Sequence, residues 1–97
     1  MPNKADETFF NRADAHIKLS NDQISREISH GKVSASSLYA AARFNAWVTA
    51  TGYTSRTEMA KGREETLEYF CEQYRKMLEE NLDDYIENFE KYMGRIQ

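Results

Sequence analysis

Glu27 and His30 form a Glu-x-x-His pair, a spacing that di-metal helical bundles use twice, on helix faces turned inward. In this chain it occurs once. With Ile17, Ile24 and Ile28 as the inward stripe of a helix, His30 lies about 160° and His16 about 120° around the axis from Ile28. Both imidazoles are therefore expected in water, and no metal or other cofactor is expected. Cys71 falls among apolar positions, where a lone thiol acts as a small inert hydrophobe. The serines from Ser34 to Ser37 would offer amides and hydroxyls to an anion at a helix start, but serines there serve mainly as caps. None of these sets puts a nucleophile beside a base. No catalytic residue is expected, and the balance is against an enzyme.

Arg43 is the side chain with the least ordinary setting. It stands among alanines, one helical turn from Tyr39 and Trp47, on the least polar stretch of the chain. An unpaired buried charge is costly. One reading pairs its guanidinium with acids of the following segment, with Trp47 stacked beside it. The other makes it the polar centre of a pocket for a small anionic ligand, with Tyr39 and Asn45.

These residues need helices to place them. Ser34 to Gly52, SASSLYAAARFNAWVTATG, is apolar or small on nearly every face and carries one charge. A helix of that composition must be wrapped, so the flanking segments are expected to close over it and bury Trp47. Upstream, Phe10, Ala13, Ile17, Ile24 and Ile28 recur at helical intervals, with Asp6 as N-cap and Gly31 as stop. Downstream, Met59, Leu67, Phe70, Cys71, Tyr74, Met77, Leu78, Leu82, Tyr85, Ile86, Phe89, Tyr92 and Met93 share one broad face. Ser55 and Glu58 make a capping box at its start. Gly52 is expected to take a left-handed conformation at the end of the central helix.

A helix unbroken from Arg56 to Met93 would run about 57 Å, against about 32 Å for the body of a compact chain of this size. It must therefore break, with Gly62 and the Asn81 to Asp84 stretch as the weakest points, or pack its far end on another subunit. Tyr85, Phe89, Tyr92 and Met93 form an apolar strip too large to leave in water, and are the expected interface.

Composition agrees with an all-helical fold. Pro2 is the only proline and glycines stand only at 31, 52, 62 and 94, so turn chemistry is scarce. The 97 residues suit one domain, with 1–5 as a disordered N-terminus and helices near 7–30, 35–51 and 56–93. This is an all-α bundle of three main helices, the last kinked or split. Net charge is -3, but Glu64 to Lys91 alone carries ten acids against three bases. That imbalance argues against a nucleic-acid partner. No stretch has the length or apolarity of a membrane span, and the start lacks a signal-peptide pattern, so a cytoplasmic protein is expected.

Three stretches, DETFFNRADAHI, GKVSASSLYAAARFNAWV and EQYRKMLEENLDDYIENFEKYM, resemble an uncharacterised bacterial family, domain of unknown function 3144. The resemblance implies a short all-helical protein and assigns no activity or site residue. The residues themselves point to a non-catalytic interaction module that pairs with itself, as a homodimer, or with another protein. The alternative is the anionic-ligand binder or minor enzyme centred on Arg43.

Overall fold

The computed structural model describes residues 6–94, and among them the only regular elements are five helices. The N-terminal stretch expected to be disordered, 1–5, lies outside the described residues. Two compact units divide the chain, Met1–Val48 and Thr49–Gln97.

In the first unit, α1 spans Phe9–Gln23. Asp6 prepares its start: Oδ1 accepts from the Thr8 amide at 2.8 Å and the Thr8 hydroxyl at 2.9 Å, and its backbone oxygen accepts from Phe9 N at 3.0 Å. A single helix to residue 30 is not what forms. Ile24 turns extended (φ -74°, ψ 132°), and Ser25 closes a tight turn in which its Oγ accepts from the amides of Glu27 and Ile28 while its own amide donates to Ile28 O at 3.0 Å. The apolar phase continues to Ile28, but the serine offers the backbone local bonds that compete with the helix.

The second helix, α2, runs His30–Ala50, its last two residues falling in the second unit. Its cap is Ser29, whose Oγ accepts from Lys32 N at 3.3 Å, rather than Ser34. Gly31 thus lies in the first turn of α2 instead of ending α1. The expected left-handed Gly52 is also corrected: among the described residues the one glycine with positive φ is Gly94, at 64°. The chain leaves α2 through tight turns, with Gly52 N donating to Thr49 O and Tyr53 N to Ala50 O.

The second unit begins with α3, Arg56–Lys61, capped as expected by Ser55, whose Oγ accepts from Glu58 N at 3.1 Å. Gly62 interrupts the helix, and α4 resumes at Arg63–Glu87. A second interruption falls at Asn88, beyond the Asn81 to Asp84 stretch, and α5 covers Phe89–Met93. Thus the long C-terminal helix is split, once where the glycine foretells it and once where no glycine stands.

The expected burial of the central helix does not hold. Among the described residues Val33 alone is buried, and Trp47, at the centre of the presumed core, is 61% exposed. Leu38, Tyr39, Phe44 and Val48 are open as well. The alanines of α2 supply little side-chain area, so its few large residues stand out into solvent.

Candidate interaction surface

On α4 the apolar stripe survives as geometry. Leu67 and Tyr85 are 18 residues apart, five turns, so they project in one direction, with Tyr74 and Leu78 within about 20° of that line. Leu67, Tyr74, Leu78 and Tyr85 are each between 41% and 50% exposed. By the same rotation Glu64, Glu68 and Glu79, with Arg75, border one edge of the stripe. Arg75 is paired with Glu79 at 3.2 Å, whereas Glu68 has no ion pair among the described residues.

The C-terminal strip predicted from sequence is carried across the Asn88 interruption by a ladder at four-residue intervals. Asn88 N donates to Asp84 O at 3.0 Å, and its side-chain amide donates to the same oxygen and to Asp84 Oδ1. Tyr92 N donates to Asn88 O, and its hydroxyl reaches back to the Asp84 carboxylate, at 3.0 Å from Oδ2. These bonds bring the rings of Tyr85 and Tyr92 to 4.7 Å between centroids, with Lys91 Nζ 6.0 Å from the Tyr92 ring. The hydrogen bond to Asp84 raises the Tyr92 pKa above its ordinary value of 10.0, because ionisation would forfeit the donated proton. Tyr85, Phe89, Tyr92 and Met93 all remain at least 42% exposed. Asp84 and Asn88 were not marked by apolar patterning; their signal is the Asp-Asn-Tyr spacing of four and four.

On α2 the three residues of the proposed ligand pocket separate. Tyr39 and Arg43 stack one turn apart, while Asn45 projects about 160° away from Arg43 around the same helix. Arg43 is exposed and has no ion pair among the described residues. Its companions on the open face are Lys32, Tyr39 and Trp47, all within about 40° of it. Lys32 also lacks an ion pair there, and α2 contains no acid.

A shallow depression on α4 is lined by acids, Tyr69, Cys71, Gln73 and Arg75. The Cys71 thiol is free and exposed, without a histidine among those lining residues. His16 and His30 are exposed, and Glu27 lies in the turn before α2, so the Glu-x-x-His pair does not share a helix. Among the described residues no three of His, Cys, Asp and Glu gather closely enough to hold a metal ion, and no helix is long and apolar enough to cross a membrane.

A Shewanella protein whose structure was determined by NMR is similar to this chain at 39% identity, with a TM-score of 0.79 over 95% of this chain and 97% of that one. No curated protein matches. The sequence profile of the family described as Protein of unknown function (DUF3144) matches residues 9–86. That span takes in α1, α2, α3 and nearly all of α4, and the chain belongs to this family.

Proposed function

We propose that this chain is a non-catalytic interaction module that pairs with a second copy of itself, using the α4–α5 stripe and the strip of Tyr85, Phe89, Tyr92 and Met93. The observation that carries the reading is the exposure of that continuous apolar face, 41% to 51% for Leu67, Tyr74, Leu78, Leu82, Tyr85, Phe89, Tyr92 and Met93. Covering the open half of the four strip residues removes roughly 400 Å² per copy, about half of what one partner contributes to a standard interface. The strip alone is therefore too small, and the stripe along α4 must join it. Ten acids between residues 64 and 91 set nucleic acid apart from the partners such a face would take.

The Arg43-centred ligand reading has less support, since one straight helix sends Asn45 away from Arg43 and Tyr39. The setting that suits the module is a bacterial cytoplasm; the Shewanella relative supports the bacterial part of that reading. Phe89→Lys tests the reading. A lone chain should tolerate the change at a 47% exposed position, whereas light scattering at tens of micromolar should show the assembly dissociating; an unchanged assembly mass would refute use of the strip.

A further inference from the structure

Self-association through α4 against α4 meets an electrostatic obstacle. From Arg63 to Glu87 this helix carries nine acids and three bases, so two copies laid stripe to stripe would set acid edges against acid edges. The face that complements it is on α2, which carries Lys32 and Arg43 and no acid. Both cations lie on one side of α2 with Tyr39 and Trp47, themselves 67% and 61% exposed. The spacing matches as well. Lys32 and Arg43 are eleven residues apart, and so are Glu68 and Glu79 on the edge of the α4 stripe, each pair spanning about 16 Å along its helix.

We propose that α2 of one copy lies along the α4 stripe of the second, with Tyr39 and Trp47 on Leu67, Tyr74 and Leu78, and with Lys32 and Arg43 over the edge that holds Glu68 and Glu79. This rests on the self-association proposed above and names the two faces that meet. Two-fold symmetry repeats the contact, so each copy both lends its α2 and receives one. That doubles the covered area and supplies what the C-terminal strip lacks.

The test is a charge exchange. Lys32→Glu with Arg43→Glu makes one double variant, and Glu68→Lys with Glu79→Lys makes another. Each alone sets like charges opposite each other and should weaken pairing by roughly ten- to thirty-fold. An equal mixture restores opposite charges in both contacts, exchanged in one and native in the other, and should form a heterodimer tighter than either variant's homodimer by about ten-fold or more. A mixture no tighter than its components overturns the α2-on-α4 arrangement. The wild type supplies a reading independent of any variant's folding: its pairing should weaken several-fold when salt rises from low to near-molar concentration, and salt-insensitive pairing overturns the arrangement too. A wild-type chain that stays single at tens of micromolar refutes self-association itself, which separates the two failures.

Discussion

Gly62→Ala isolates the junction of α3 and α4. Gly62 has φ -92° and ψ 6°, a backbone geometry open to alanine, so no conformational strain opposes the change. What opposes it is Tyr53, whose hydroxyl oxygen overlaps the position a Cβ would take and whose Cζ lies 3.1 Å from it. Displacing a half-buried ring from its seat is overpacking, worth about 1–3 kcal/mol. Alanine returns up to about 1 kcal/mol of helix propensity at a position between two helices. The net expectation is a loss of about 0–2 kcal/mol, or up to roughly 10 °C of melting temperature for a chain of this length. In a Tyr53→Ala background the obstruction is gone, and Gly62→Ala should stabilise by up to about 1 kcal/mol. Thermal unfolding of the four variants by circular dichroism gives the cycle, with an expected coupling of about 1–3 kcal/mol. If Gly62→Ala has the same effect with and without the Tyr53 ring, the contact does not govern the junction.

Asp6 is held down to about pKa 2 by the Arg12 guanidinium, assisted by the Thr8 amide and hydroxyl. A depressed carboxylate stabilises above its ordinary value of 3.8 and loses that contribution as pH falls toward 2. An NMR titration of the start of α1 should therefore show its midpoint near 2, and Arg12→Ala should move that midpoint up toward 3.8; an unmoved midpoint would exclude Arg12 as the cause. Tyr92 has the opposite sign: its raised pKa adds stability below its ordinary value of 10.0, which is lost as pH climbs through the folded value. Asp84→Asn should lower the tyrosinate transition followed by ultraviolet absorbance, and no change would show that the hydroxyl is not donated to Asp84. Ser55→Ala removes the acceptor for Glu58 N and should cost about 1 kcal/mol in chemical denaturation; a cost near zero would mean that the cap contributes nothing.

The all-helical class was legible in the near absence of proline and the sparse glycines. Ser55 and Gly62 were legible because each imposes a local requirement, an acceptor for an unpaired amide in one and a missing side chain in the other. Asn88 was not. Asn81 donates its side-chain amide to Met77 O at 2.8 Å and the helix runs through it, while Asn88 makes the equivalent bond to Asp84 O and the helix pauses. Residue type and spacing are the same in both. The turn at Ser25 was hidden for a related reason: a period of 3.6 persists through Ile28 although the backbone stops being helical at Ile24. The burial of Trp47 failed more instructively. An all-round apolar helix requires cover, and this is a fact of composition, but composition does not say whether the same molecule provides it. The interface strip was named from its bulk, and the ladder of Asp84, Asn88 and Tyr92 that aligns it came from polar spacing that apolar patterning passes over.

Sedimentation equilibrium of the wild-type chain across low to tens of micromolar concentration is the most direct measurement of whether a second copy covers these faces. A mass rising to twice the chain's 11.3 kDa is the predicted result. A mass fixed at 11.3 kDa throughout would contradict it.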